Sequence, residues 1–415
     1  MTTLVKNITK LSYEAIVEEL SNKFGFDKEE AITHLNSLVE TKEEKVVKKV
    51  VKKVVKKVVK KEEKKVKKVK KESNVNSLYK KIDYSDVANV KKDIEENGVA
   101  VVKLFTKEEC DDLVKSVLKD LEKLAIESGL YDKDFALDNA ENWKEFIMKD
   151  LVVYHGQMFK QFVGCCQTLW KVRFDERIQK LYAGIYDCDV EELGVSYDGF
   201  SISVNPNHFP LQNGGDKGKK WMHVDQSFYT NGMKCIQGFL NCTKVTEGVA
   251  TFSCYKGSNN LHNEFYKSHI DRKHSKNNWD LIKSEEEEWY RSNGCEELRL
   301  LLDEGDFVMW DSRTVHMGAQ ASVDREVDRE NFNVERCVFY VCYQKKPDDL
   351  SKADLNKIMK KREKAEKKGI LSCHWPWKEL KLNSACPRTY GDDSKLVRFK
   401  ALEEACERIM EEVEL

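Results

Sequence analysis

The sequence predicts a mainly β protein with flanking helices, its antiparallel sheets packed as a sandwich or barrel. Strand-like runs bounded by turn residues recur at 98–105, 199–204, 235–242, 249–255, 306–310 and 336–343. Regular helices do not alternate with them, as a parallel α/β sheet would require. Helical patterning gathers instead in the N-terminal part of the region from residue 76 onward and at residues 350–368.

In chain order, residues 1–42 read as a small helical segment. Ile16, Leu20 and Phe24 recur at helical spacing, and Gly25 is a natural stop. Asp27 is placed to cap a second helix through Ile32 and Leu35, with Glu30 completing a capping box. Residues 43–75 are a low-complexity lysine–valine linker. From Lys45 through Lys71 there are fifteen Lys against two Glu, a balance of +13 that leaves −14 on the rest of a chain whose net charge is −1. Valine is an indifferent helix former and adjacent lysines repel, so this arm reads as a solvated linker. Its second reading is contact with a polyanion, either nucleic acid or an anionic surface. The acidic remainder disfavours nucleic acid lying across the rest of the chain.

Residues 76–415 have the composition of one large domain with a C-terminal helical extension. The chain's eight Trp, fifteen Tyr and eighteen Phe are enough to fill a sizeable core. Within it, 98–105 is a strand, and Thr106-Lys107-Glu108-Glu109 opens a helix through Leu121 with a capping box. No stretch nears the roughly 18 consecutive apolar residues of a membrane span, and the N-terminus lacks the apolar region of a secretory signal. Thirteen cysteines are an odd number, with no Cys-x-x-Cys among them. The cysteines therefore read as buried free thiols in a reduced, intracellular chain and not as a disulfide framework, and the expected location is the cytoplasm.

The chemistry centres on Trp221-Met222-His223-Val224-Asp225-Gln226-Ser227. Residues i and i+2 of an extended segment project from one face, so His223 and Asp225 can grip one metal ion together. A distant histidine would complete a two-His-one-carboxylate triad, the set that leaves three positions open on Fe(II). The His-x-Asp pattern recurs at His269-Ile270-Asp271, with a relative at His262-Asn263-Glu264. Those two fall in 258–278, a polar stretch that reads as a surface loop, so the first pair is preferred. The third ligand is His316, which follows the turn Asp303-Glu304-Gly305-Asp306 and the short strand Phe307-Val308-Met309-Trp310. A carboxylate co-substrate at such a centre needs a cation for its far end, and arginine suits this through bidentate pairing. Arg325 and Arg329 lie in a charged stretch without sheet pattern, whereas Arg336 opens a strong strand. Arg336 is therefore the choice, with Arg313 a runner-up. Gln237 and Asn241, on one face of a strand, are candidates to point into the cavity.

The ordered motifs GVAVVKLFTKEEC, HVDQS, QGFLNCT, YKGSNNLH, GDFVMWDSRTVHMG and ERCVFYVCY resemble the phytanoyl-CoA dioxygenase-like family across roughly residues 80–395. Asn259 stands where that family commonly has histidine, and SCHWPWK and CPRTYG resemble a tail of some uncharacterised members. The resemblance implies a double-stranded β-helix (a jelly-roll, cupin-like core) with Fe(II) at one mouth. It also implies 2-oxoglutarate as co-substrate, clamped by Arg336, and hydroxylation of an unidentified small molecule or protein with release of succinate and CO2. A halogenase of that fold would lack the carboxylate, so Asp225 favours hydroxylation. The alternatives are a metal-binding module that has lost catalysis and a nucleic-acid-associated factor acting through the basic arm.

Overall fold

Apolar runs that do not alternate become strands covered on both faces. In the computed structural model Val99–Lys103 is such a strand, buried at its first four positions. The structure describes residues 76–77, 79–148, 150–151, 153–154, 158–159, 162–204, 220–274, 278–321, 332–369, 374–378 and 393–412. The chain divides into two compact units, Met1–Val75 and Asn76–Leu415, and the described residues belong to the second. The helical segment and the lysine arm expected from the sequence lie outside the described residues.

The strands, in chain order, are β1 (Asn76–Ser77), β2 (Lys81–Asp83), β3 (Val99–Lys103), β4 (Val153–Tyr154) and β5 (Met158–Phe159). Next come β6 (Leu193–Val195), β7 (Phe200–Val204), β8 (His223–Val224), β9 (Ile236–Asn241), β10 (Thr251–Lys256) and β11 (Asp280–Leu281). The last are β12 (Glu296–Leu300), β13 (Asp306–Asp311), β14 (His316–Ala319), β15 (Val334–Tyr340) and β16 (Tyr343–Lys345). One sheet runs β2-β3-β13-β9-β15-β7-β5-β4, a second β1-β12-β10-β14-β8-β11, and β16 pairs with β6. Pairing is antiparallel except for β1 with β12 and β2 with β3. The helices are α1 (Val87–Asn97), α2 (Lys107–Glu127), α3 (Gln167–Arg173), α4 (Glu176–Tyr186), α5 (His262–Ser268), α6 (Ser284–Ser292), α7 (Lys352–Lys367) and α8 (Asp393–Glu412).

Alternate residues of the same strands feed two cores. Val99, Val101, Phe239, Val308, Trp310 and Val338 of the larger sheet pack against Phe252, Cys254, Leu298 and Leu300 of the smaller one. Ala100, Val102, Phe307, Met309, Cys337 and Phe339 face the opposite way, onto Val117 and Leu121 of α2 and Leu402 and Ala405 of α8. A third cluster covers the smaller sheet's other face, where Val224, Tyr255 and Met317 meet Phe265 of α5 and Tyr290 of α6. This is the jelly-roll arrangement of two facing sheets with flanking helices. The α2 capping box forms as expected, the Thr106 side chain accepting from Glu109 N and Glu109 accepting from Thr106 N.

Two expectations need correction. Residues 258–278 are not simply a surface loop: they include α5, whose Phe265 is fully buried and whose His262 is 1% exposed. A helix of two turns is too short to reveal a period among so many polar residues. Helices also extend beyond the expected places, since α6 lies between strands and α8 packs on α2. The eleven described cysteines are free thiols. Among the described residues no helix is long and apolar enough to cross a membrane.

Gly98 links the helical layer to the loop after β13. It ends α1 at φ 77 and donates its N–H to Ile94 O. Its own carbonyl accepts from Asp311 N at 3.1 Å and Thr314 Oγ1 at 2.8 Å. A Cβ at this position would lie 2.5 Å from Thr314 Oγ1 and 2.7 Å from Asn259 Oδ1. Gly129 has a similar φ of 70 but nothing within 4 Å of such a Cβ. Gly129→Ala should therefore cost about 1 kcal/mol of left-handed strain, and Gly98→Ala about 3 kcal/mol because overpacking is added. Urea unfolding of the two variants measures the difference; equal losses would mean that the crowding at Gly98 relaxes freely.

Candidate metal centre

His223 and His316 are direct cross-strand partners where β8 meets β14. Cross-strand pairing brings side chains within about 5 Å, and the two imidazole centroids are 4.4 Å apart. Asp225 follows β8 by one residue, its backbone N–H held by Ser312 O at 3.0 Å. The carboxylate Oδ2 then lies 3.7 Å from His223 Nε2 and 3.3 Å from His316 Nε2. Among the described residues these three form the group of His, Cys, Asp and Glu able to hold a metal, with ligand atoms within 4.8 Å of one another.

Each histidine is oriented by the main chain two residues before it. His223 Nδ1 lies 3.1 Å from Trp221 O and His316 Nδ1 lies 2.8 Å from Thr314 O. A carbonyl can only accept, so both Nδ1 atoms carry the proton and both Nε2 lone pairs are left for a cation. Aromatic packing fixes the rings further: Trp221 stacks on His223 at 4.7 Å, and Phe252 stacks on His316 at 5.4 Å. Burial, with His223 nearby, lowers the His316 pKa despite Asp225, keeping the neutral, ligating form. For Asp225, burial alone would raise the pKa, but the imidazoles of His374, His223 and His316 outweigh it and hold the carboxyl well below the usual range. Gln237 Nε2 also donates to Asp225 Oδ2, at 3.0 Å.

The donor set fits a metal. Two donors about 2.1 Å from an octahedral ion and at right angles lie about 3 Å apart, close to the separations here. Two histidines and one carboxylate are the donors of a facial triad, a set that leaves three positions open on the ion.

The other sequence candidates fall in different places. Gln237 meets Asp225, but Asn241 is four residues along the same strand face, about 13 Å away at a strand's rise per residue. Its amide donates to Thr243 O and Asp303 O, securing a turn. Asn241 is therefore corrected from a cavity residue to a structural one. Arg313 is held by Asp311, with Nη2 at 2.6 Å from Oδ2, so its cation is already engaged. Arg336 is 8% exposed and shares the inner strand face of Val338 and Tyr340. Among the described residues nothing hydrogen-bonds or ion-pairs with its guanidinium. Arg325 and Arg329 lie outside the described residues. His269 is held by Phe265 O, while Asp271 is exposed. His262 Nε2 is directed at Gln226 O, 3.3 Å away. Three neighbours of the centre escaped sequence reasoning: Trp221, His374, and Trp279, whose half-exposed ring is 5.7 Å from His223. Only the tryptophan two residues before His223 carried a local signal.

Comparison with known proteins follows this geometry. A relative from Aspergillus versicolor, Ava biosynthesis cluster protein O, is 27% identical over 209 residues, covering 48% of this chain and 62% of the relative. The chain thus matches less than two thirds of that protein's length. Among solved structures, the epimerase SnoN in complex with Fe3+, alpha ketoglutarate and nogalamycin RO is 13% identical, with a TM-score of 0.35 over 64% of this chain and 88% of that one. EctD from S. alaskensis in its apoform is 12% identical, with a TM-score of 0.38 over 65% of this chain and 80% of that one. Residues 94–325 match the phytanoyl-CoA dioxygenase family, a stretch that is more than half of the chain and contains His223, Asp225 and His316. On that match the chain belongs to the phytanoyl-CoA dioxygenase (PhyH) family.

Proposed function

We propose that the protein is an Fe(II)- and 2-oxoglutarate-dependent dioxygenase that hydroxylates an as yet unidentified organic substrate. The observation that carries this is the convergence of His223 Nε2, His316 Nε2 and the Asp225 carboxylate, with both histidines fixed in the ligating tautomer. When bound, iron and 2-oxoglutarate supply the oxidising chemistry, in which decarboxylation to succinate and CO2 accompanies insertion of oxygen into a C–H bond.

The chain's residues bind, orient and exclude water. His223 and His316 offer neutral nitrogen donors, and Asp225 contributes one negative charge, leaving a divalent ion with net positive charge toward an anionic co-substrate. Gln237 fixes the carboxylate by its 3.0 Å hydrogen bond. Phe252 and Trp310 stand against His316 and keep that side dry. Arg336, buried on the inner face without a partner among the described residues, suits the far carboxylate of 2-oxoglutarate. Half-exposed Trp279 gives the rim beside His223 an apolar surface for substrate. The free thiols favour a reducing compartment, and we place the protein in the cytoplasm. The arm from Lys45 through Lys71 is proposed, on charge alone, as a tether to a polyanion.

Anaerobic addition of Fe(II) and 2-oxoglutarate should produce the weak visible charge-transfer band of a chelated complex. His316→Ala should abolish it and His269→Ala should retain it; the reverse pattern would move the centre to the second His-x-Asp pair. Arg336→Ala should raise the Kd for 2-oxoglutarate by roughly a hundredfold, since stranding one partner of a buried ion pair costs about 3 kcal/mol or more. Titration of the band measures this, and a Kd within a fewfold of wild type would return the role to Arg325 or Arg329. Deleting residues 45–71 should leave succinate formation nearly unchanged while abolishing salt-sensitive retention on duplex DNA or anionic vesicles; equal retention would remove the tether.

A further inference from the structure

We propose that Gln226 is a positioning residue of the metal centre, its side chain locking Asp225 to the segment that leads to His316. This rests on the metal-site reading above and gives a role to the residue that directly follows the carboxylate ligand.

Asp225 needs such support because it lies one residue beyond β8, where the ladder has ended. The chain then runs through residues 226–235 before β9 begins at Ile236. A connection of that kind carries backbone carbonyls and N–H groups that no sheet satisfies. Gln226, fully buried, meets them. Its Nε2 donates to Thr230 O at 3.0 Å and to Gly232 O at 2.7 Å. Its Oε1 accepts from Lys234 N at 3.1 Å and from Ser312 Oγ at 2.9 Å. A primary amide has two N–H donors and two acceptor lone pairs, so every one is used. The partners also fix which way the amide points. Exchanging its oxygen and nitrogen would set the oxygen against two carbonyls and an N–H against the Lys234 N–H.

The bond to Ser312 turns a tidy loop into a part of the site. Ser312 directly follows β13 and stands four residues before His316, the first residue of β14. Its carbonyl accepts from Asp225 N at 3.0 Å, and its own N–H donates to Cys235 O at 2.9 Å. One serine therefore holds the peptide of the carboxylate ligand, the side chain of the next residue, and the residue that enters β9. β9 in turn carries Gln237, which donates to Asp225 Oδ2. The loop is braced from outside as well. His262 of α5 donates Nε2 to Gln226 O at 3.3 Å, and buried Phe228 stacks on the His262 ring at 4.5 Å.

The role follows from the way the three ligands are mounted. The ladder sets His223 opposite His316, but Asp225 has no strand partner. Its separations of 3.7 Å and 3.3 Å from the two imidazoles depend on how the chain leaves β8. A single bond from Asp225 N to Ser312 O is a hinge about which the residue can turn. A second bond to the same serine, from the residue one further on, removes that rotation. Groups that orient a metal ligand in this way are worth roughly ten- to a hundredfold in metal affinity.

The test uses the full chain and Co(II), whose visible d–d bands report coordination without turnover. Wild type should bind Co(II), and His316→Ala should not. Gln226→Leu, close in size but unable to hydrogen-bond, should weaken Co(II) binding roughly tenfold and shift the bands. Asn241→Leu is the matched control, since that amide is also fully buried and also donates to two carbonyls, but at the far end of β9. It should lower the thermal midpoint of the metal-free protein, as Gln226→Leu does, with Co(II) affinity and bands unchanged. Ser312→Ala removes the hydroxyl alone and should weaken binding about fivefold, the worth of one neutral hydrogen bond. It decides the matter if Gln226→Leu fails to fold. Bands unshifted and affinity within twofold of wild type in Ser312→Ala and in folded Gln226→Leu would overturn the proposal and leave the triad intact. Equal losses of Co(II) affinity in Gln226→Leu and Asn241→Leu would overturn it too, by showing that any buried amide has the same effect. Failure of the wild type itself to bind Co(II) would overturn the metal-site reading and this inference together.

Discussion

A residue on an antiparallel strand faces one partner across the ladder, and the ladder of β8 and β14 sets His316 opposite His223. The rest of the centre depends on that register. Side chains alternate between faces, so a slip of one residue would turn one imidazole to the far side of the sheet and pack Val224 or Met317 in its place. The register is held from both sides. β10 pairs with β14 from Thr251 opposite Ala319 to Cys254 opposite His316, and β11 pairs with β8 at Val224 and His223. Val224 and Met317, next to the two histidines, are buried with Phe265 and Tyr290 on the other face. Apolar burial on one face thus decides where the polar ligands stand on the other.

The carboxylate imposes the complementary constraint. Removing a charge from water costs several kcal/mol unless something compensates, and Asp225 sits where solvent reaches little of it. Gln237 supplies a neutral donor and the imidazoles a polarised wall, but neither cancels the charge as a bound cation would. The metal therefore belongs to the stability of this end of the fold as well as to its chemistry. The loop from Asp311 to Val315 ties this end to the helical layer. Thr314 bonds to Gly98 at the end of α1, and Val315 N is held by Ser258 Oγ. Asn259 gives its amide to carbonyls in the last turn of α1, Ile94 O and Glu95 O.

The strands were legible in the sequence because burial on both faces leaves unbroken apolar runs, as in Val99–Lys103 and Asp306–Asp311. His223 and Asp225 were legible because their two-residue spacing is itself the geometry, and His316 because it follows a strand closely. Asn241 was misread for a reason the pattern cannot express. Strand alternation says which face a residue takes, not how far along the strand the metal lies. Arg313 looked available because nothing local says that Asp311, two residues away, folds back onto it. α5 was hidden because two turns show no period when only His262 and Phe265 face inward. His374 was beyond local reading altogether, since the contact that places it joins Cys235 to a residue 139 positions away.

The hydrogen bonds that orient the two histidines come from the carbonyls of Trp221 and Thr314. Many metal sites assign that task to a carboxylate or another side chain, which then cannot be exchanged without loosening the ligand. Every amino acid brings a carbonyl. The residues preceding the ligands by two are thus released from that duty, and their side chains are open to selection for other ends, including the shape of the rim where Trp221 and Trp279 lie. A fold that orients its metal-binding histidines through its backbone can vary its substrate pocket and its catalytic geometry as separate traits.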